Sequence, residues 1–220
     1  MDLKNSMLLA SMMQSSETPI PPQYTVVDYI QFRNNSDTDN SVKCYIDTGI
    51  VLDYLTQTYL KAKFILYNPM ISNANQFGTA FGVEGSQWVD IRCSSWSSKG
   101  TFAFFSNEIQ PNMISGQITD IEVKNRIATI NGNDINLGNA IQETSGNRTL
   151  TLFCVHGSGF SYQGNMRLYE FRLGSSPNNL IIDYVPVYDT QTQKYGIWDK
   201  ISQTFKGNDG TGDFTGGYDS

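Results

Sequence analysis

Hydrophobic and polar residues alternate along most of the chain after residue 24, and this pattern predicts β-strands. The segments Val26–Phe32, Arg148–Val155 and Asn165–Leu173 alternate most clearly. Because successive side chains of a strand point to opposite faces, alternation is typical of strands with one face on a core and the other in water. Further strands are predicted at Lys43–Ile50, Thr58–Tyr67, Thr79–Val83, Gln87–Arg92, Thr101–Phe105, Gln117–Val123, Arg126–Ile130, Asp134–Leu137 and Leu180–Val187.

Turn-forming residues separate these segments. Asn131-Gly132, between two predicted strands, is a strong hairpin signal. Repeated short strands joined by Gly, Asn and Ser turns predict an all-β fold in which two antiparallel sheets pack as a sandwich. We assign residues 23–220 to this one domain. Within Thr58–Tyr67 the candidate core positions are Tyr59, Ala62, Phe64 and Leu66.

Residues 1–22 differ from the rest of the chain and are assigned to a separate anchor segment. Their apolar side chains recur with the spacing of one stripe on a short helix, and Pro19, Pro21 and Pro22 then force an extended linker. A helix of about ten residues is unstable alone in water, so this stripe needs a partner surface. We interpret the segment as an anchor that docks into a larger assembly; the alternative is that it folds back on its own domain. The anchor residues are Leu3, Met7, Leu8, Met12 and Met13.

The composition excludes several classes of partner. Charged residues make up only 16% of the chain, and 15 Lys and Arg stand against 21 Asp and Glu, for a net charge of −6. Since the chain lacks a contiguous basic stretch, we expect no nucleic-acid partner. The apolar runs all fall well short of the ~20 residues that span a bilayer, so we expect no membrane insertion.

The cysteines and the single histidine exclude a closed zinc site. Cys44, Cys93 and Cys154 each lie in an apolar run, which predicts buried free thiols and fits assembly in a reducing cytoplasm. The chain has no CxxC motif and His156 is its only histidine, so the ligand spacing of typical Cys and His zinc sites is missing. We expect no metal and no cofactor.

The sequence offers no convincing catalytic group. Asp120 and Glu122 share one face of a predicted strand, but a third carboxylate does not follow, and we interpret them as a solvated pair. His156 lies at a strand end without a nucleophile elbow beside it. The loop Asn35–Asn40 lacks the glycine and the distal glutamate of a calcium loop, and Asp209–Asp213 is a single glycine-rich turn without the tandem copies of a calcium β-roll. We therefore expect a protein that is not an enzyme.

Aromatic residues beside polar side chains are the best candidates for a glycan-binding site. Sugar C–H faces pack on aromatic rings while the sugar hydroxyls pair with amides and carboxylates. Trp96 lies in a serine-rich turn, Trp88 precedes it, and Tyr162 and Gln163 lie in a glycine-rich loop. These four residues are the predicted glycan or interface contacts.

Short motifs near the two ends of the chain carry a resemblance to a known domain family. They are Tyr45–Gly49 (YIDTG), Leu168–Phe171 (LYEF), Asp183–Pro186 (DYVP), Gly196–Lys200 (GIWDK), Thr204–Phe205 (TF) and Gly210–Phe214 (GTGDF). In order and spacing they resemble the concanavalin A-like, laminin G-like jelly-roll domain of bacteriophage tail and virion-appendage proteins. From the residues themselves we expect Gly196–Trp198 to form a hairpin with Thr204–Phe205, and Pro186 to end its strand at an edge position.

The resemblance implies a two-sheet jelly-roll sandwich in a non-enzymatic structural protein of a bacteriophage particle, such as a tail, fibre or capsid appendage. Its implied partners are other virion proteins, reached through the N-terminal anchor, and further copies of itself in a homotrimer. The implied location is the virion, assembled in the host cytoplasm. The alternative is a carbohydrate-binding module that adsorbs to a host-surface glycan.

Overall fold

The structure is a computed structural model, and it describes residues 18–32, 43–67, 77–84, 88–94, 100–105, 109–111, 113–140, 144–156, 160–161 and 164–219. Within these residues the chain forms strands joined by turns. The strands are β1 (Tyr24–Val26), β2 (Tyr29–Phe32), β3 (Ile46–Asp53), β4 (Tyr59–Leu66), β5 (Phe77–Glu84), β6 (Trp88–Ser94), β7 (Gly100–Phe104), β8 (Ile118–Lys124), β9 (Ile127–Ile130), β10 (Asn133–Asn136), β11 (Thr144–Leu152), β12 (Val155–His156), β13 (Phe160–Ser161), β14 (Met166–Ser176), β15 (Asn179–Asp189), β16 (Lys194–Asp199), β17 (Thr204–Lys206) and β18 (Thr215–Gly217).

Eleven of these strands form a large antiparallel sheet. Its main path runs β10-β9-β8-β4-β14-β15-β16-β17. Strand β14 is the branch point, because it pairs with β4 along one edge and with both β2 and β15 along the other. Strand β1 pairs with β15, and β18 pairs with β2. The branch brings residues near both ends of the chain beside the centre of the sheet.

The other seven strands form a small sheet in the order β7-β6-β5-β11-β3, with β12 and β13 attached at β5. Its pairs are antiparallel except for one parallel bridge between His156 of β12 and Val83 of β5. The chain turns between β11 and β12 at Phe153, whose φ of 68° lies in the left-handed region. This turn splits the strand that the sequence predicts at Arg148–Val155.

Aromatic side chains from both sheets meet in one core. Phe81 of β5 packs edge-on against Phe64 of β4, with ring centroids 6.4 Å apart, and against Phe171 of β14 at 5.3 Å. All three rings are almost fully buried. The contacts between sheets are those of a β-sandwich, so the predicted all-β fold of two antiparallel sheets is confirmed. The jelly-roll connectivity stays a prediction, and the predicted N-terminal helix lies outside the described residues.

Pro186 does not end its strand, so that expectation is wrong. It pairs with Ile197 of β16, and β15 continues to Asp189. On its other side, the pairing of β15 with β14 stops at Tyr184 and the pairing with β1 starts at Val187. Because Pro186 falls in the gap between those two partners, its missing N–H leaves no ladder acceptor unpaired.

Two segments that carry the family resemblance contact each other although they are about 160 residues apart in the sequence. The Tyr45 N–H donates to Asn208 Oδ1 (2.9 Å), and the Asp47 N–H donates to Asp209 Oδ2 (2.8 Å). The N–H groups of Thr211 and Gly212 donate to the Lys43 carbonyl. A loop close to the end of the sequence therefore fixes the start of β3. The predicted hairpin also forms, with Trp198 opposite Phe205.

Arg126 ties the two sheets together at one side of the sandwich. Its guanidinium donates to the carbonyl oxygens of Phe104 (2.8 Å) and Phe105 (3.1 Å) at the end of β7. The same group donates to Leu137, Gly138 and Asn139 after β10. Burial lowers the pKa of Arg126, but the group keeps its charge at every physiological pH. Arginine suits this position because its planar group presents five donors at once.

Candidate functional site

The outer face of the large sheet carries two rows of charged side chains. In β4, Leu60, Ala62 and Phe64 point into the core, so Lys61 and Lys63 point outward. The strand register then aligns the neighbours. One row consists of Glu122, Lys61, Arg172 and Asp183, on β8, β4, β14 and β15. The second row consists of Asp120, Lys63 and Glu170, on β8, β4 and β14.

Opposite charges in these rows pair with each other. Arg172 Nε lies 3.0 Å from Asp183 Oδ1 and 2.9 Å from Glu170 Oε1. Lys61 Nζ lies 3.4 Å from Glu170 Oε2. These groups are half-buried, so water screens them less than fully exposed ion pairs. The pairs hold the side chains in fixed positions on the face.

A β-bulge at Tyr169 reshapes the centre of this outer face. Opposite β4, Leu168 pairs with Phe64 and Glu170 pairs with Lys63, which leaves Tyr169 as the extra residue. A bulge bends its strand and re-aims a side chain. Here it places two consecutive residues, Tyr169 and Glu170, on the same side of the sheet, where regular alternation would allow only one.

These two residues help to line a depression of about 350 Å³, and it is the candidate functional site. Its other lining residues are Asp28, Lys63 and Asp219. Asp28 lies between β1 and β2, and Asp219 follows β18. The branch in the large sheet therefore brings two carboxylates from distant parts of the sequence to the bulge.

A network of hydrogen bonds holds the acidic wall of the depression. The Asp219 N–H donates to Asp28 Oδ2 (2.8 Å), and Arg167 Nη1 donates to Asp219 Oδ1 (3.0 Å). Arg167 Nε also donates to Gln31 Oε1 (2.9 Å). The guanidinium stacks on the Tyr29 ring, 3.9 Å from its centroid. Arg167 thus anchors a carboxylate and an aromatic ring at the same time.

Tyr169 is held from several sides. Its ring lies 5.9 Å from Tyr29 and 5.4 Å from the Lys63 ammonium. Burial and a hydrogen bond to Asp219 raise the pKa of Tyr169, while Arg167 acts in the opposite direction. The phenol therefore stays neutral at physiological pH and can donate a hydrogen bond as well as accept one.

The carboxylate pair that the sequence suggests, Asp120 and Glu122, does lie on one face of β8. Burial acts to raise the pKa of Glu122, but hydrogen bonds from Lys124 and Tyr59 outweigh it, so the pKa lies below its usual 4.5. A general acid of a glycosidase needs the opposite shift. The pair fits a surface ion-pair network better than an acid catalyst.

We expect Glu122 to make stability depend on pH in acid. Because its pKa is lower in the folded chain, its contribution is present above the unfolded value near 4.5 and is lost as pH falls through the folded value. Urea unfolding of wild type and Glu122→Gln between pH 5 and pH 3 should show a smaller loss of stability in the variant. Lys124→Met removes the nearest lowering partner and should weaken the dependence in the same way. Equal losses in all three proteins would contradict this assignment.

The predicted glycan-binding residues are not placed by the structure. Trp96, Tyr162 and Gln163 lie outside the described residues, and only the backbone of Trp88, in β6, is described. The anchor residues Leu3, Met7, Leu8, Met12 and Met13 also lie outside them. The predictions for these residues therefore stay predictions.

Sequence reasoning missed the depression, although one signal for its bulge was present. In Asn165–Leu173 the buried hydrophobic positions are Met166 and Leu168, and then Phe171 and Leu173. The hydrophobic positions change from even to odd numbers between Leu168 and Phe171, so the alternation is interrupted and not regular. Such a change marks a bulge. Nothing local in the sequence places Asp28 or Asp219 beside it.

His156 contacts Thr149, a residue of the preceding strand β11. The His156 Nδ1 lies 3.1 Å from Thr149 Oγ1 and 3.1 Å from the Thr149 carbonyl oxygen. In the part of the chain that the structure describes, no group of three His, Cys, Asp or Glu residues is placed to hold a metal ion. Nor does any helix there have the length and hydropathy to cross a membrane.

Cys44 and Cys154 are buried free thiols, as predicted. Burial raises the pKa of each from 9.0 to about 12. At pH 8 about one thiol in 10⁴ is then ionised, and the thiolate is the reactive form.

In a Cys93→Ser variant we expect Ellman's reagent to label neither thiol of the native protein within minutes, and both thiols in 6 M guanidinium. Rapid labelling of the native variant would show that one of the two thiols is accessible.

In comparisons with known proteins, no family model, no curated protein and no solved structure matches the chain. The resemblance described above therefore rests on the motifs themselves and on the contacts between them. The candidate site rests on the register, hydrogen bonds and charges of the large sheet.

Proposed function

We propose that this chain is a non-enzymatic structural protein of a bacteriophage particle. In this proposal a concanavalin A-like jelly roll is displayed on a tail, fibre or capsid appendage, and residues 1–22 anchor it to other virion proteins. The observation that carries the proposal is the contact between Tyr45–Gly49 and the loop that contains Gly210–Phe214. These are the most distinctive motifs of the resemblance.

The contact supports the resemblance because motifs far apart in a sequence have no reason to meet unless they build one structural unit. The N–H groups of Tyr45 and Asp47 are satisfied by Asn208 and Asp209, over separations of 163 and 162 residues. Two motifs that lie closer together, on the adjacent strands β15 and β16, are also joined: the Asp183 N–H donates to Asp199 Oδ1 (3.2 Å). The hydrogen bonds between the segments that contain these motifs thus stabilise the fold.

The described chemistry is consistent with a structural role. Asp199 accepts hydrogen bonds from the Ile201 N–H and the Ser202 hydroxyl, so it caps a turn. The two described cysteines are buried and have raised pKa values, and the pKa of Glu122 is shifted away from that of an acid catalyst. Free buried thiols also fit assembly in the host cytoplasm.

The anchor can be tested in particles that carry this protein. We expect the full-length chain to be found in purified particles, and a Leu8→Asp/Met12→Asp variant to be made in the cell but left out of them. Charges placed in an apolar stripe cannot be buried without a large desolvation cost. An Asn5→Asp/Ser6→Asp variant adds the same two charges away from the stripe and should still be incorporated.

Two results would contradict this proposal. One is the absence of the wild-type chain from purified particles, and the other is full incorporation of the Leu8→Asp/Met12→Asp variant. The oligomeric state is checked separately by light scattering on the full chain. A trimer would have three times the mass of 24.6 kDa, about 74 kDa. A monomer would contradict the proposed homotrimer.

Adsorption to a host-surface glycan is the second candidate function. The observation that favours it is the polar depression with a tyrosine beside it on the outer face of the large sheet. An appendage that also binds sugars would combine both roles, because the anchor and the depression involve different residues.

A further inference from the structure

The depression offers more hydrogen-bonding capacity than its own residues use. The Lys63 ammonium has three N–H donors, and its one described contact is with the face of the Tyr169 ring. The Asp28 carboxylate also lines the depression, and its Oδ2 accepts a hydrogen bond from the Asp219 N–H. A carboxylate can accept about four hydrogen bonds, so Asp28 has further acceptor capacity. Donors and acceptors therefore face one small space.

The charges around this space are balanced. Asp219 contacts the Arg167 guanidinium, and Glu170 contacts both Lys61 and Arg172. Because cations already lie against these carboxylates, the depression has little preference for an incoming cation. The same carboxylates repel an anion. A neutral ligand whose groups donate and accept hydrogen bonds fits best, and hydroxyl groups do both.

The volume of the depression and the Tyr169 ring further restrict the class of ligand that can bind. A depression of about 350 Å³ lies at the small end of ligand pockets, which span about 300–1,000 Å³. Tyr169 is half-buried, and its ring lies 5.9 Å from the Tyr29 ring and 5.4 Å from the Lys63 ammonium. An aromatic ring packs well against the C–H face of a sugar ring, while its hydroxyl group stays available for a hydrogen bond.

We propose that this depression binds one pyranose unit of a neutral glycan. Asp28 and Asp219 accept hydrogen bonds from sugar hydroxyls, Lys63 donates to them, and Tyr169 contacts the C–H face. The inference rests on the second candidate function, glycan adsorption, and assigns it to residues other than Trp88, Trp96, Tyr162 and Gln163.

Saturation-transfer NMR on the full chain tests this site. The neutral probes are methyl β-D-glucopyranoside, methyl α-D-mannopyranoside and N-acetyl-D-glucosamine; D-glucosamine and D-glucuronate are the cationic and anionic probes. We expect at least one neutral probe to bind in the millimolar range, and more tightly than its charged counterparts. Asp219→Asn and Lys63→Met should each weaken that binding at least tenfold.

Lys124→Met is the matched control, because Lys124 is a lysine of the large sheet that pairs with Glu122 and does not line the depression. It should bind the probe as wild type does. Thermal unfolding of each variant checks that the fold is retained. The proposal is overturned if no neutral probe binds below 50 mM, if a charged probe binds tenfold more tightly, or if Asp219→Asn and Lys63→Met bind like wild type.

This outcome is separable from that of the anchor experiment. Substitutions at Leu8 and Met12 leave the lining of the depression unchanged, and those at Lys63 and Asp219 leave residues 1–22 unchanged. A chain that enters particles but binds no sugar would overturn the glycan site alone. A chain that binds sugar but is absent from particles would overturn the structural role alone.

Discussion

Replacing Phe81 with alanine is expected to lower the free energy of unfolding by about 3–5 kcal/mol, the range for deleting a fully buried aromatic ring. Phe81 is 1% exposed and is the ring that contacts Phe64 and Phe171 of the facing sheet. Its removal leaves a cavity between the two sheets, and the neighbouring rings can only partly fill it. Urea unfolding followed by tryptophan fluorescence measures the change.

Phe81→Leu is the matched control. Leucine keeps most of the apolar volume and should cost about 1–2 kcal/mol. A loss below about 1 kcal/mol for Phe81→Ala would show that the two sheets do not depend on this ring for their packing.

Gly210→Ala is expected to cost about 3 kcal/mol, at the upper end for overpacking, because the added Cβ would overlap the carbonyl oxygen and carbon of Lys43. The obstacle is backbone and not a flexible side chain, so the loop has to move. Movement also weakens the hydrogen bonds from Thr211 and Gly212 to the Lys43 carbonyl. For a domain of this size the midpoint of thermal unfolding should fall by about 6–12 °C.

Gly207→Ala is the control in the same segment. A Cβ at Gly207 would meet the edge of the Phe205 ring at 3.4 Å, an ordinary contact. We expect a change below about 1 kcal/mol. Equal unfolding midpoints for the two variants would mean that the contact between the loop and Lys43 contributes little to stability.

The sequence predicts the strands well because burial of one strand face produces an alternation of hydrophobic and polar residues. The predicted segment Thr58–Tyr67 corresponds to β4, and Ala62, Phe64 and Leu66 are core residues as expected. Tyr59 is buried too, but on the other face of the strand. There its hydroxyl donates to Glu122 (3.1 Å) and the Lys124 ammonium lies over its ring. Alternation predicts which face a residue takes, but not what covers that face.

Breaks within strands are harder to predict, because turns are stabilised by partners that are distant in the sequence. The predicted strand Val26–Phe32 divides into β1 and β2, since Val27 and Asp28 lie where the chain crosses from β15 to β14. The Val27 N–H donates to Pro186 and the Asp28 N–H to Gly217. Neither partner can be deduced from the local sequence.

The candidate site could not be predicted from the sequence for the same reason. Asp28 and Asp219 are 191 residues apart and are joined by one hydrogen bond. Tyr169 draws attention only once the bulge shows that it shares a face with Glu170. By contrast, the motifs that stand out in the sequence, such as Tyr45–Gly49, maintain the fold.

The fastening of β3 by the 207–214 loop has a consequence for how the chain is made. The acceptors for Tyr45 and Asp47 leave the ribosome more than 160 residues after their donors. Until then the edge of β3 carries unpaired backbone groups, which are a template for aggregation. Native pairs so distant in sequence also slow folding, because a large loop must close first. Slower translation will therefore not help this domain to fold in stages, whereas chaperones that shield strand edges should raise its yield.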